Sequence, residues 1–192
     1  MKVAVLTAHL SRASGGLRES VPGMVRALVE ICRCPVTVVG VLDTHHPTDW
    51  THWGEDVHPV VQRGPRAFGF APEVGGVLRR LAPDVIDVQG LWMHHSLANL
   101  RYAGNTRTPY VITPRGMLDP WALGRAAWKK RLVGLWFERA HLRGAACLRA
   151  ISLSEAKAMR AFGLTNPIAV VPNGVTLPTE EPADADRAEP QT

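Results

Sequence analysis

The chain has 192 residues, of which 46% are hydrophobic and 20% charged, and its net charge is +5. This length suits one full-sized domain, the composition is that of a soluble globular protein, and three cysteines do not indicate a disulfide framework. No apolar run approaches about 18 residues and the N-terminus lacks a signal-peptide layout, so a spanning helix is excluded and a cytoplasmic location is expected.

The charge is unevenly distributed along the chain. Residues 180–192 contain five acidic residues and one arginine, so the rest of the chain carries +9. A basic body indicates an anionic partner, such as a nucleotide, a phosphorylated lipid, an anionic membrane or a nucleic acid. The end of the chain is rich in proline, alanine and acids and has no apolar period. This predicts one domain over 1–177 and a disordered tail over 178–192.

Strand and helix patterns alternate along the body. Apolar runs rich in β-branched residues predict strands at 2–8, 35–42, 57–62, 83–90, 109–116, 146–152 and 166–174. Amphipathic spacing predicts helices at 17–33, 72–82, 93–105, 125–144 and 154–163, the last with Ser154 as its cap. Residues 43–56 are predicted to form a loop. The alternation predicts an α/β fold with a doubly wound, mostly parallel sheet, which binds ligands beyond the carboxyl ends of its strands.

Two adjacent glycines, Gly15 and Gly16, lie between the first strand and the first helix. They fit neither G-x-G-x-x-G nor G-x-x-x-x-G-K-[ST], which disfavours a dinucleotide dehydrogenase and a P-loop ATPase. Glycines let an oxygen approach backbone N–H groups at the positive end of a helix, and Arg12 and Arg18 flank the loop. The segment fits an anion site and, equally well, a tight turn that holds no ligand.

The segment TPRGMLDPWAL, residues 113–123, follows another strand end. Arg115 lies beside Gly116, where a guanidinium could hold a phosphate or carboxylate through two hydrogen bonds. Pairing of Arg115 with Asp119 is the alternative. Trp121 could stack on a sugar or anchor the loop.

A pair of histidines, His94 and His95, follows a further strand end. A neutral imidazole there could act as acid, base or hydrogen-bond donor, whereas a histidine at a helix start could also simply face water. No H-x-x-x-H or H-E-x-x-H spacing occurs among the eight histidines, so no metal site is predicted.

The predicted helix near residues 125–143 is strongly basic. It has one acid, Glu138, interleaved aromatic residues, and six basic residues: Arg125, Lys129, Lys130, Arg131, Arg139 and Arg143. This pattern suits a surface that contacts a membrane or an anionic acceptor. It also fits an ordinary helix with a solvated basic face and a buried aromatic stripe. No nucleic-acid recognition module is visible, and no nucleic-acid partner is expected.

Taken together, the segments SGGL, GLWMHHSLANLRYA, PRGMLDPWAL and VPNGV, in this order, resemble a known family. They are similar to the N-terminal half of family-4 glycosyltransferases, which have the two-domain, Rossmann-like GT-B architecture. The resemblance extends to about Leu177. It implies a Rossmann-like domain that forms half of a GT-B fold and mainly holds the acceptor.

The resemblance implies roles for several residues. Gly15 and Gly16 would approach the diphosphate of a nucleotide-sugar, while His94 and Arg115 would face the acceptor cleft. Asn173, within VPNGV, would lie where the chain crosses towards the second domain, and Arg12 and Arg18 would line the same cleft. The nucleotide-sugar is the donor substrate, and neither a metal nor another cofactor is expected.

Two features depart from the family pattern. Asp87 and Gln89 stand where related sequences often have histidines, and Pro114 and Arg115 stand where some have a functional histidine, so no catalytic residue is assigned. The C-terminal domain, with its two glutamates separated by seven residues, is missing from these 192 residues.

Two functions therefore remain open at this point. One is the acceptor half of a hexosyltransferase for cell-surface polysaccharide or lipopolysaccharide synthesis, with the donor half supplied by a separate chain. It would transfer a sugar to a glycan or lipid-linked acceptor, with peripheral contact at the inner face of the membrane. The other is an inactive, truncated remnant that only binds an acceptor or a partner.

Overall fold

The computed structural model describes residues 1–42, 48–64, 68–125 and 127–174. The tail predicted at 178–192 lies outside the described residues, as does part of the loop predicted at 43–56. The rest of that loop contains a short 3₁₀ helix, Asp49–Trp53, and no strand.

In the part of the chain that the structure describes, seven strands form one sheet, in agreement with the sequence prediction. They are β1 Val3–Thr7, β2 Val36–Val41, β3 Val57–Val60, β4 Val85–Gln89, β5 Tyr110–Thr113, β6 Cys147–Ala150 and β7 Ile168–Val170. Their order is β3-β2-β1-β4-β5-β6-β7, and every neighbouring pair is parallel. The sheet is thus wholly rather than mostly parallel. The strand order reverses between β1 and β4, where sheets of this kind bind ligands.

Within the described residues, seven α-helices surround the sheet. They are α1 Leu17–Glu30, α2 Glu73–Leu81, α3 His94–Thr106, α4 Pro120–Gly124, α5 Ala127–Val133, α6 Arg139–Gly144 and α7 Leu153–Ala161. A π-helical turn, Gly134–Glu138, joins α5 to α6.

The two faces of the sheet are covered by different elements. Helices α2, α3, α6 and α7 contribute to one apolar core, against side chains such as Leu6, Ile86 and Ile112. Helix α1 and the 3₁₀ helix Asp49–Trp53 contribute to a second core, against Val5 and Val38. Because side chains alternate along a strand, Ala4 and Leu6 of β1 face the first core while Val3 and Val5 face the second.

The long helix predicted at 125–144 forms over residues 127–144, but a π-turn interrupts its α-helical hydrogen bonding in the middle. The segment is divided into α5, the π-turn and α6, with α4 preceding it. A π-turn adds a residue to the helical repeat and so changes which side chains face inward. Phe137 is buried, but Trp128 and Trp136 are each 64% exposed, so the interpretation as a buried aromatic stripe is wrong for both tryptophans. No helix within the described ranges is long and apolar enough to cross a bilayer.

The cap of the last helix also differs from the prediction. Ser152, not Ser154, is the N-cap of α7, and its Oγ accepts a hydrogen bond of 3.2 Å from the N–H of Glu155. Ser154 already lies within the first turn, so its backbone is helical and cannot adopt the extended conformation of a cap.

Candidate functional site

The loop after β1 leads into α1 through the glycine pair. Gly15 has a φ of +58°, a left-handed conformation that favours glycine, and Gly16 is the N-cap of α1 with no side-chain cap. A Cβ placed on either glycine would meet nothing within 4 Å. The N-terminal end of α1 is therefore open towards the space beyond the carboxyl edge of the sheet.

The two arginines that flank this loop have different surroundings. Arg12 pairs with the buried carboxylate of Asp49, through Nε at 3.1 Å and Nη2 at 2.8 Å. Its backbone N–H donates to the same group at 2.9 Å. Arg12 thus anchors the loop to the Asp49–Trp53 turn, while its side chain remains 60% exposed. Arg18 lies 3.8 Å from Glu19, and its buried Nε has no hydrogen-bond partner among the described residues.

A chain of polar side chains crosses the carboxyl ends of β4, β5 and β7. Arg115 donates from Nε to Gln89 Oε1 at 2.9 Å and from Nη1 to Asn173 Oδ1 at 2.6 Å. Gln89 in turn donates from Nε2 to Asp87 Oδ2 at 2.7 Å. We call Asp87, Gln89, Arg115 and Asn173 the Gln89 cluster. The structure gives Arg115 these partners instead of Asp119, which is the N-cap of α4.

The Gln89 cluster has unused hydrogen-bonding capacity. Arg115 Nη2 and Asp87 Oδ1 are buried atoms without a partner among the described residues, and so is the hydroxyl of Thr113 at the end of β5. Buried polar atoms are normally satisfied by protein, water or ligand. The cluster can therefore offer both a donor and an acceptor to a bound polar molecule.

Burial changes the ionisation of this cluster. It raises the pKa of Asp87 to about 6, against the opposing hydrogen bond from Gln89 and the charges of Arg149 and Arg115. Burial and then the charge of Arg149 lower the pKa of Arg115 to about 10. Arg115 is therefore cationic at neutral pH, whereas the pKa of Asp87, about 6, lies close to neutral pH. A carboxyl group with a shifted pKa beside a cation is typical of functional sites and also occurs in structural networks of ion pairs.

Glu155 holds two loops beside the cluster. Its Oε1 accepts from the N–H of Gly116 at 2.6 Å and its Oε2 accepts from the N–H of Ile151 at 2.7 Å. The side chain is buried. This carboxylate fixes the loop after β5, and with it Arg115, against the loop after β6.

The two histidines are both buried, so the prediction that one of them faces water is wrong. His94 Nδ1 accepts from the N–H of Ala71 at 3.3 Å, and its ring packs edge-to-face with Phe70, with the two ring centroids 4.7 Å apart. His94 lines a groove of about 260 Å³ between α2 and α3. Burial lowers the pKa of His94, and burial with the charge of His141 lowers the pKa of His95 to about 3, so both rings are neutral at pH 7.

The predicted residues divide between the two faces of the sheet. Ile86 and Val88 of β4 point into the core shared with α2 and α3, so Asp87 and Gln89 point towards the face that α1 covers. Arg149 Nη1 reaches Met24 Sδ of α1 at 3.1 Å, which places α1, the helix that follows the glycine pair, against the same face. Arg115 and Asn173 therefore belong with Gly15 and Gly16, whereas His94 belongs to the opposite, α2–α3 side.

Sequence reasoning did not assign several of these residues. Asp87 and Gln89 were recognised only as departures from a family pattern, and Glu155 only as part of a helix. The signal that could have indicated Asp87 and Gln89 was their position at the end of a strand, two residues apart and therefore on the same face. Which charged groups they meet depends on the strand order.

A wholly parallel sheet of this order, with polar side chains gathered beyond its carboxyl edge, defines a Rossmann-like domain of the kind that forms half of the GT-B architecture. The model of the glycosyl transferase 4-like domain matches residues 15–174. The chain therefore belongs to this family, and the matched region begins at the glycine pair.

Solved structures with the same fold include proteins that bind nucleotide-sugars. Anabaena Alr3699/HepE in complex with UDP-glucose has a TM-score of 0.66 at 17% identity, over 91% of this chain and 44% of that one. The UDP-GlcNAc 2-epimerase of Methanocaldococcus jannaschii has a TM-score of 0.65 at 16% identity, over 90% and 46%. A ugt transferase from Siraitia grosvenorii in complex with UDP gives 0.54 at 10% identity, over 88% and 50%.

The chain spans about half the length of these structures or slightly less. Among curated proteins, no sequence matches it.

Proposed function

We propose that this chain is the acceptor-binding half of a glycosyltransferase that transfers a hexose from a nucleotide-sugar to a glycan or lipid-linked acceptor. The reaction would serve cell-surface polysaccharide or lipopolysaccharide synthesis in the cytoplasm. The observation that supports this most directly is the open glycine pair at the start of α1, where the family match begins. It lies on the same side of the sheet as Arg115 and Asn173.

In this proposal the glycine pair contacts the donor diphosphate. As the sugar leaves, negative charge develops on the diphosphate, and fixed N–H groups at a helix N-terminus stabilise such charge. Because neither Gly15 nor Gly16 has a Cβ, the phosphate oxygens can come close to the backbone. The proposal assigns this charge to backbone groups and involves no metal or other cofactor.

The Gln89 cluster is proposed to hold the acceptor. Arg115 Nη2 would donate to an acceptor oxygen or phosphate, and Asp87 Oδ1 would accept from a hydroxyl. Arg115 is a suitable group for an anionic acceptor because its guanidinium can make two parallel hydrogen bonds. Glu155 would act as a positioning residue, since it reaches the loop through the Gly116 N–H.

The proposal places the nucleoside-binding half of the site outside these 192 residues, on a C-terminal GT-B domain. This follows from the extent of the match, which covers 44% of the HepE chain and 46% of the epimerase chain. Closure of two domains around a donor excludes water and completes such sites. The chain by itself is expected to bind a diphosphate weakly and to transfer no sugar.

Diphosphate binding is tested with amide NMR titrations using UDP and inorganic pyrophosphate. We expect chemical-shift changes at the N–H groups of Gly15 and Gly16, and their loss in Gly16→Asp. Aspartate is a preferred N-cap, so this substitution preserves or stabilises α1 while it repels an anion. The neutral cap variant Gly16→Asn should weaken binding less. Gly23→Asp, on an open part of the same helix, is the matched control and should bind as the wild type.

Sugar transfer is tested with this chain and a separately expressed GT-B donor domain from the adjoining reading frame. The assay uses a panel of labelled nucleotide-sugars and a lipid extract that contains acceptors. We expect transfer only by the pair and a loss of at least about a hundredfold with Gly16→Asp, comparable to removing an oxyanion-type donor. Transfer by this chain alone contradicts the dependence on a second half. No transfer by the pair contradicts the glycosyltransferase proposal and leaves a binding module.

A further inference from the structure

Five large apolar side chains are exposed along α4, α5 and the π-turn. They are Trp121 (74% exposed), Trp128 (64%), Leu132 (59%), Leu135 (73%) and Trp136 (64%). We call these five residues the tryptophan face. Single exposed apolar residues are ordinary on protein surfaces, but a contiguous set rich in tryptophan marks an interaction site.

The tryptophan face points outward because the opposite side of the same segment is firmly held. Phe137, Glu138 and His141 are buried, and Glu138 Oε2 accepts from the N–H of Trp92 at 2.6 Å. Glu138 Oε1 accepts from His141 Nδ1 at 2.9 Å. The segment therefore cannot turn its tryptophans into the core without breaking these buried bonds.

The charge around the tryptophan face is positive. Glu138, the one acid in residues 120–144, is buried in the contacts just described, so it adds no charge to the surface. Arg125 lies over the ring of Trp121, with its guanidinium carbon 4.8 Å from the ring centroid. Arg139 and Arg143, one helical turn apart on α6, are both exposed.

A depression of about 280 Å³ lies beside the face. Its lining is mostly apolar and includes two cationic side chains, Lys130 and Arg139. The other lining residues are Trp92, Leu123, Gly134, Leu135 and Phe162. Lys130 Nζ donates to the carbonyl of Ala122, which fixes the ammonium at one end. Burial and the nearby Arg125 lower the pKa of Lys130, so an anion bound there would relieve an unfavourable environment. A second depression of about 160 Å³ shares Arg139 and adds Arg143.

We propose that the tryptophan face docks on an anionic lipid bilayer and that the depression between Lys130 and Arg139 takes the phosphate of a lipid headgroup. Tryptophan is enriched where apolar and aqueous regions meet, and clustered lysine and arginine side chains bind anionic headgroups. A set of cations in a segment whose one acid, Glu138, is buried favours a membrane over a protein partner of mixed charge. The docking proposal rests on the proposed function in one respect: a lipid-linked acceptor would reach the protein at this membrane surface.

Docking is tested by co-sedimentation of the full 192-residue chain with vesicles. One set contains phosphatidylcholine alone, and the other contains about one-third phosphatidylglycerol. We expect binding to the anionic vesicles to be at least about tenfold stronger and to weaken as salt increases. Equal binding to both sets, or binding to neither, overturns the proposal.

Two pairs of variants separate the apolar and cationic contributions. Trp128→Ser with Trp136→Ser should weaken binding about tenfold or more, because both rings would insert at the interface. Both side chains are largely exposed, so the fold is expected to persist, which a melting curve checks. Ile31→Ser is the matched control, since Ile31 is 77% exposed at the end of α1, away from the face, and its loss should leave binding unchanged.

For the depression, Lys130→Gln with Arg139→Gln should weaken binding to anionic vesicles about tenfold, a loss of two charges near the surface. Arg26→Gln with Arg107→Gln removes the same charge from exposed positions on α1 and after α3. If this control pair weakens binding as much, the assignment of the lipid phosphate to the depression is wrong.

A protein interface is the outcome that would replace the proposal. If the chain fails to bind vesicles but self-associates in gel filtration, and Trp128→Ser with Trp136→Ser abolishes the association, the face is a contact between copies. Vesicle binding requires no sugar donor. Binding without transfer by the reconstituted pair therefore contradicts the proposed function alone, and transfer without vesicle binding contradicts the docking proposal alone.

Discussion

Arg115 and Asn173, 58 residues apart in the chain, are joined by a hydrogen bond of 2.6 Å from Nη1 to Oδ1. The bond links the loop after β5 to the segment after β7, across the end of β6. It fixes one end of the Gln89 cluster, because the Nε of the same guanidinium is bonded to Gln89.

We expect Asn173→Asp to stabilise the fold at pH 7. The new carboxylate would accept from Arg115 and so have a depressed pKa in the folded state. Its contribution would be present above the unfolded pKa and lost as pH falls through the folded pKa. Because position 173 is exposed, the gain should be only about 0.5–1 kcal/mol. Urea unfolding at pH 7 and pH 3 measures it.

The control for this change is Asn173→Ala, which removes the acceptor. It should cost about 0.5–1.5 kcal/mol at both pH values, the usual net value of one hydrogen bond. If alanine and aspartate behave alike at pH 7, the bond between Arg115 and Asn173 does not contribute to stability in solution.

Asp87 should make the stability of the protein depend on pH. Its pKa is raised from 3.8 to about 6, so the folded state favours the protonated form. The contribution of Asp87 is fully present below the unfolded pKa and is lost as pH rises through about 6. We therefore expect Asp87→Asn, which stays neutral, to be more stable than the wild type by about 1–2 kcal/mol at pH 7.5 and equal to it near pH 4.

Chemical unfolding across this pH range measures the difference. Asp119→Asn is the control at the same edge of the sheet, because asparagine and aspartate are equivalent N-caps. A difference for Asp87→Asn that does not change with pH would show that Asp87 is not the titrating group.

Glu138 should be important for stability. It accepts hydrogen bonds from the N–H of Trp92 and from His141, whose Nε2 lies 3.0 Å from the Asn99 side-chain amide. Glu138→Ala leaves these buried partners unsatisfied and should cost about 3 kcal/mol or more in unfolding free energy. Glu30→Ala, at the exposed end of α1, should change it by less than about 0.5 kcal/mol. A cost below about 1 kcal/mol for Glu138→Ala would contradict the buried network.

The cap of α7 can be checked with a matched pair of serines. Ser152→Ala should lower the unfolding free energy by about 1 kcal/mol, because the N–H of Glu155 loses its partner. Ser154→Ala should change it by less than about 0.5 kcal/mol, since its exposed Oγ bonds to Ser152 and not to the helix backbone among the described residues. A larger loss of unfolding free energy for Ser154→Ala than for Ser152→Ala would show that Ser154 is the cap, as the sequence predicts.

Much of the fold was predictable because it depends on local patterns. Buried parallel strands are continuous apolar runs, such as Val3–Thr7, and helices covering a sheet show a 3.6-residue period, such as Leu17–Glu30. Local capping was less certain: Ser152 and Ser154 have the same side chain, and only the backbone conformation distinguishes them.

For the candidate site residues, the position at strand ends and before a helix was predictable, but the contacts were not. The sequence alone placed Gly15–Gly16 before a helix and placed Arg115 and Asn173 after strands, because strand ends and glycine pairs are local features. Only the tertiary structure decided that Arg115 bonds to Asn173, that Arg12 is engaged by Asp49, and which face each strand-end side chain occupies. These outcomes depend on strand order and on the face to which each β-strand residue points, and both are set by packing between distant segments.

The segment from Trp121 to Trp136 shows the same division. Its basic and aromatic composition is evident in the sequence, and that composition fitted both a membrane surface and a buried stripe. The buried bonds of Glu138 hold the segment so that Phe137 faces inward while Trp128 and Trp136 face outward. One added residue in a helical turn rotates every later side chain, and the binding partner of Glu138 lies 46 residues away in the chain, so periodicity could not reveal it.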